Sequence, residues 1–242
     1  MALFGRRNVQ VASVPVSPKE LRDQRTAACP NCGVQLKKVP GAKTKCPDCG
    51  EYMFVRTDPR INARVVVTVE QADVIDLEWA KLNGTYDDIM HERHRLEQIR
   101  VRLGPGFSEA DVQWGALNER TLEAVRDGRW YDYTTLRFEM GEHLRERGSL
   151  EHAGECYLAA TYLELNGPQD DRFGERFRLD PDAWGIAVDS FRDICDCLEL
   201  SYREGLEQLS KQAIHEEQSL KPPMSWEAAK EAILSHIDVD TY

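Results

Sequence analysis

No stretch of this chain is apolar for long enough to cross a bilayer, which takes about 20 consecutive residues, so no membrane partner is expected of it. Missing too are the short motifs of several common chemistries: there is no G-x-S-x-G elbow, no Walker lysine loop, no dinucleotide-binding glycine pattern and no H-E-x-x-H pair. The opening run MALFGRRNVQVASVPVS sets two arginines ahead of a weakly apolar stretch, but Asn8, Gln10 and Ser13 interrupt it and no small-x-small cleavage site follows. It does not read as a secretion signal. Cysteine pairing is scarce as well: the total is seven, and Cys156, Cys195 and Cys197 have no matching partner spacing. That usage argues against a disulfide framework and for a reducing compartment, so a cytoplasmic location is expected.

What the chain has is an uneven distribution of charge. Residues 1–64 carry twelve Lys/Arg against five Asp/Glu, whereas residues 65–242 carry nineteen against thirty-seven, for a total of -11. The contrast predicts two parts, a basic arm at 1–64 and an acidic body at 65–242, and suggests an anionic partner for the smaller one. It also has a local explanation. Lys37, Lys38, Lys43 and Lys45 lie between two cysteine pairs, and four thiolates around a divalent ion leave a charge of about -2 to be offset nearby.

Those pairs are Cys29-Pro30-Asn31-Cys32-Gly33 and Cys46-Pro47-Asp48-Cys49-Gly50. In each, proline fixes φ early in the turn and glycine lets the backbone curl so that amides face the sulfurs. Four cysteines so spaced can close a tetrahedral all-sulfur shell around a structural zinc, with a rubredoxin-like iron as the competing metal. A full thiolate shell leaves no coordination position for water, which disfavours a catalytic metal. The paired C-P-x-C-G knuckles resemble the zinc-ribbon family, which implies a small β unit whose metal replaces a core. Strands are predicted at Val34–Val39 and Lys43–Cys46, turning at Pro40-Gly41, and at Tyr52–Arg56. Val65–Val67 either adds a strand or leads into the body.

Around this unit the sequence reads as mostly α: a small N-terminal β zinc ribbon followed by a multi-helix antiparallel body. Ser17-Pro18-Lys19-Glu20 predicts a short helix to about Ala27. Thr68-x-x-Gln71, Thr85-x-x-Asp88 and Ser108-x-x-Asp111 predict three further starts, with Gly84, Gly104-Pro105 and Gly128 as stops. The inward positions expected are Ala72, Ile75, Trp79 and Leu82 in the first, and Val112, Leu117, Leu122 and Val125 in the third. Between Thr134 and Gly167, Met140-Gly141-x-x-Leu144, Gly148, Ala153-x-x-x-Tyr157, Ala160 and Pro168 resemble one tetratricopeptide repeat, with Arg137 where that family has tryptophan. A polar loop at 169–176 follows. Asp180-Pro181-Asp182 restarts a helix with Ala187, Phe191, Ile194 and Leu198 inward, and Cys195 and Cys197 pointing apart. A helix carrying Leu206, Leu209 and Ile214 comes next, and Ser225 caps the last, with Trp226, Ala229, Ile233 and Ile237 on one face.

Three functions follow. In the first, a non-enzymatic accessory protein, Arg6, Arg7, Lys37, Lys38, Lys43, Lys45, Arg56, Arg60 and Arg64 meet nucleic-acid phosphates while the acidic helices hold a protein partner. The second is an adaptor between proteins. The third is a metal-dependent hydrolase whose carboxylates, Asp170 and Asp171 among them, gather in the fold. His91 and His94, in i, i+3 register, read better as a solvated helix face than as metal ligands. The layout is similar to that of uncharacterised zinc-ribbon proteins of bacteria and their phages.

Overall fold

In the computed structural model, which describes residues 28–38, 40–167 and 185–239, a small sheet precedes a run of helices. The sheet holds β1 (Thr44–Lys45), β2 (Tyr52–Asp58) and β3 (Ala63–Val67), antiparallel in that order. The helices are α1 (Val69–Asn83), α2 (Tyr86–Leu103), α3 (Glu109–Arg126), α4 (Trp130–Glu146), α5 (Leu150–Leu165), α6 (Ile186–Cys197), α7 (Tyr202–Ser219) and α8 (Trp226–Val239). The chain divides into two compact units, Met1–Arg93 and His94–Tyr242, so the division falls within α2. The helix expected at 17–27, the restart at Asp180 and the loop at 169–176 lie outside the described residues.

In the first unit each face of the sheet has its own work. Pairing sets Phe54 opposite Val67 and Val55 opposite Val66, so alternate residues point to opposite sides. Phe54, Val65 and Val67 pack on Ala72 and Ile75 of α1, while Met53 and Val66 pack toward Cys29 and Cys46. Helix α1 starts where Thr68 and Gln71 form a reciprocal capping box, and stops at Gly84, whose φ of 75° is left-handed. Trp79 Nε1–H donates to the Thr57 carbonyl at 2.7 Å, tying the helix to β2. The charge-based boundary at 64/65 cuts through β3 and sets α1 in the acidic body, whereas β3 and α1 pack on each other.

Of the hairpin arm expected at Val34–Val39, the described residues 34–38 form no strand. Only Gln35 pairs there, in a single bridge to Ala28, and the expected strand at Lys43–Cys46 shrinks to Thr44–Lys45. Tyr52–Arg56 extends to Asp58, and Val65–Val67 is a strand. Four positions expected inward are exposed: Leu82 and Leu122 by 68% and 71%, Trp79 and Val125 by 37% and 36%. Helical spacing places all four near the apolar stripe, but Leu82 and Leu122 lie at its edge and stay open to solvent.

The second unit is built around α5. Ten of its residues are buried, on all sides, as a helix must be when neighbours enclose it. Helices α4, α6, α7 and α8 all pack on it. Glycines allow the approach: a Cβ at Gly141 would lie 2.6 Å from the Tyr157 ring, and one at Gly154 would lie 2.6 Å from Leu209. Similarly, a Cβ at Gly205 would meet the buried Cys195 sulfur at 2.4 Å, whereas Cys197 is exposed. The chain before α8 is latched to the end of α5, because Tyr162 O–H donates to the Met224 carbonyl at 2.8 Å and Met224 N–H to Asn166 Oδ1 at 2.7 Å.

One charged contact lies inside this unit. Glu217 of α7, fully buried, accepts from Tyr133 O–H at 3.0 Å and pairs with Arg137 Nη2 at 2.8 Å. Arg137 Nε–H also donates to the Tyr133 oxygen at 3.1 Å. A buried pair is costly to break from one side only, by about 3–5 kcal/mol, and often nearly neutral to replace as a whole. Urea denaturation is therefore expected to show Arg137→Met and Glu217→Leu each strongly destabilising, and the double variant recovering most of the loss.

A second group carries a pH dependence. Burial pushes the Glu164 carboxyl up to about 7, against the opposing pull of the Gly185 amide. Its Oε2 is buried with no hydrogen-bond partner among the described residues. A carboxyl whose folded pKa lies above its unfolded value of 4.5 holds its proton more tightly when folded, so its cost is absent below the unfolded value, grows through the interval, and is constant above the folded one. Thermal melts of Glu164→Gln are expected to show a gain over the parent at pH 8 and none near pH 4.

Candidate metal centre

The two cysteine knuckles fold by the same bonds. In the first, Gly33 N–H donates to the Cys29 carbonyl at 2.8 Å and Cys29 N–H to the Val34 carbonyl at 2.8 Å. In the second, Gly50 donates to Cys46 at 3.0 Å and Cys46 to Glu51 at 2.8 Å. Both glycines have left-handed φ, 76° and 75°, which a side chain would resist. Asn31 Nδ2–H reaches the Tyr52 carbonyl at 3.2 Å, joining the first knuckle to β2. Cys29 and Cys46 are buried against Met53, and Cys32 and Cys49 face outward.

The four sulfurs converge. All lie within 4.8 Å of one another, and the closest pairs, Cys29 with Cys49 and Cys32 with Cys46, are 3.8 Å apart. A tetrahedral shell with metal–sulfur bonds of about 2.3 Å has edges of ~3.8 Å, so the donor set fits one shared ion. It does not fit disulfides, whose sulfurs bond at about 2.05 Å. Protonation points the same way. Burial pushes the Cys29 thiol up, but the amides of Cys32 and Asn31 together with the Cys46 and Cys32 thiols outweigh it and bring it to about 7. For Cys32 the Val34 amide pulls downward, yet desolvation and the Cys29, Cys49 and Cys46 sulfurs push the thiol up to about 12. Cys29 ionises readily while Cys32 and Cys49 are held up, so thiolates gather at this site most easily around a cation.

The basic residues between and after the knuckles separate by type. Arg56 pairs with Asp76 of α1 at 2.8 Å. Arg60 grips the buried Asp58 through its backbone N–H and its guanidinium, at 2.9 and 2.6 Å, and holds that carboxyl below the usual range. Arg64 donates to the Gly41 carbonyl at 2.8 Å, pinning the turn to β3. These three serve the fold. Lys37, Lys38, Lys43 and Lys45 are exposed; Lys43 and Lys45 lie over the Tyr52 ring at 4.5 and 5.0 Å. Arg6 and Arg7 lie outside the described residues.

Among the described residues, the cysteine quartet is the one group of three or more His, Cys, Asp or Glu side chains close enough to share an ion. His91 and His94 are both exposed on α2, the latter bonded to Gln98. His143 stacks on Trp114 and His152 bonds Ser149. Asp170 and Asp171 lie outside the described residues. The Glu217–Arg137 pair had no signal in local sequence, because its partners are eighty residues apart. No described helix is long and apolar enough to cross a membrane. Comparison of the chain with protein-family models, curated proteins and solved structures gives no match.

Metal binding in a unit this small is also folding energy. Chelation is expected to release one metal ion per chain, measured by a chromogenic chelator, and to abolish the thermal transition of the cysteine unit. Cys46→Ser is expected to lose the metal while the far-ultraviolet helical signal of the second unit remains.

Proposed function

We propose that the chain is a non-enzymatic zinc-ribbon accessory protein of the cytoplasm, whose ribbon binds nucleic acid through its outward lysines and whose acidic helices hold a protein partner. The four-sulfur cluster carries the reading: a complete thiolate shell suits a structural zinc, orders the ribbon, and leaves no open position for substrate chemistry. Iron is the other metal such a shell suits, and metal analysis of native protein with its visible spectrum separates the two.

The division among the basic residues supports the nucleic-acid part. Arginines bonded to Asp58, Asp76 and Gly41 are committed internally, while Lys37, Lys38, Lys43 and Lys45 project where phosphates could reach them. Lysine binds phosphate as a point charge and reads no sequence. For the protein partner, the support is exposed apolar surface on the acidic body: Leu122 near the end of α3 and Tyr131 at the start of α4 are 71% and 70% exposed.

Four lysine–phosphate contacts give log K a slope of about -3 against log salt, a loss of roughly sixty-fold between 50 and 200 mM. Fluorescence anisotropy with labelled oligonucleotides is expected to show that slope, reduced to about half in Lys38→Glu/Lys43→Glu. Arg60→Gln is expected to lower stability and leave the slope unchanged. Salt-independent capture of a protein by the lysine face would favour the adaptor reading instead.

A further inference from the structure

Beside the second knuckle, the stretches 34–38 and 44–48 stand apart rather than pairing, and between them lies a groove of about 630 Å³. Its floor is apolar, with Val34, Leu36 and the buried Met53, and Lys37, Lys38 and Lys45 rise around it. Asp48 is the only acidic residue in the lining. The volume falls within the ~300–1,000 Å³ typical of sites for small ligands.

Resting on the nucleic-acid reading above, we infer that this groove takes an unpaired base, so that the ribbon binds single-stranded nucleic acid in preference to duplex. A double helix offers a protein its phosphates and the edges of its bases, while the base faces are stacked inside. Nothing it presents can enter an apolar-floored recess. A single strand can turn a base inward, and the sugar–phosphate on either side then meets the lysines at the rim. Flat surface charge would favour the more densely charged duplex; the recess favours the single strand. Contacts to a base face are indifferent to sequence.

The test uses full-length, metal-loaded protein and three labelled probes of about 20 nucleotides at one salt concentration: oligo-dT, an abasic strand of the same length, and a blunt duplex. Oligo-dT is expected to bind roughly tenfold tighter than either of the others, and Leu36→Glu, with its metal content verified, to erase the advantage over the abasic strand. Equal binding of oligo-dT and the abasic strand overturns the inference while leaving the phosphate contacts intact, as does duplex binding as tight as single strand. A poly-glutamate peptide that displaces oligo-dT as readily as unlabelled strand does also overturns it, because the groove then takes any acidic chain. Failure of every nucleic-acid probe at low salt overturns the accessory-protein reading itself.

Discussion

Four sulfurs brought within 4.8 Å of one another are the constraint on which the first unit depends. Without an ion among them they repel as they ionise, and the apolar group behind them is too small to compensate: Met53, Val34, Leu36 and Val66 are most of what packs there. The sheet is therefore held from two sides by different means. One face rests on the metal knuckles; the other rests on α1 through Phe54, Val65, Val67, Ala72 and Ile75. Because successive residues of β2 and β3 serve opposite faces, parting the four sulfurs would strip one side of the sheet while leaving the other attached to its helix.

The charge contrast along the chain changes meaning once α1 is seen to belong with the sheet. From 28 to 93 there are nine Lys/Arg and ten Asp/Glu, so the unit as folded is not a basic body. Its positive charge is instead local. Planar guanidinium groups are used where direction matters, against Asp58, Asp76 and a carbonyl, and compact ammonium groups are left on the outer face of the hairpin region. A tally of charge by sequence position cannot distinguish these uses, because it does not see that Asp76 of α1 returns to Arg56.

What the sequence made legible follows the range of the interactions involved. The capping boxes at Thr68 and Ser108 are local, three residues across, and both helices start there. Ser201 with Glu204 forms a third of the same kind, readable from S-x-x-E alone though not singled out. The cysteine quartet was legible because spacing within each knuckle fixes two ligands and duplication implies the other two. Leu82 and Leu122 failed for the opposite reason: periodicity gives the face of a helix but not whether anything lies against it. Arg137 is the instructive case. It is a charged residue in the interior of a helical hairpin, and its buried partner Glu217 comes from α7, eighty residues on.

The unpaired arm at 34–38 and the groove beside it have one cause. A β-hairpin without metal must pair its arms to define their geometry, and longer pairing would close the space between them. Here each arm is fixed at its knuckle by a backbone hydrogen bond of its own, Cys29 N–H to the Val34 carbonyl and Cys46 N–H to the Glu51 carbonyl, and the converging sulfurs set the knuckles beside each other. Arg64 pins the far end at Gly41. With both ends set, pairing between the arms is dispensable, and Gln35 turns to Ala28 while Thr44 and Lys45 turn to β2. The opening that remains is then held at its ends by the cysteine knuckles and by the Arg64 clasp. An unpaired arm without those two anchors would be free to close.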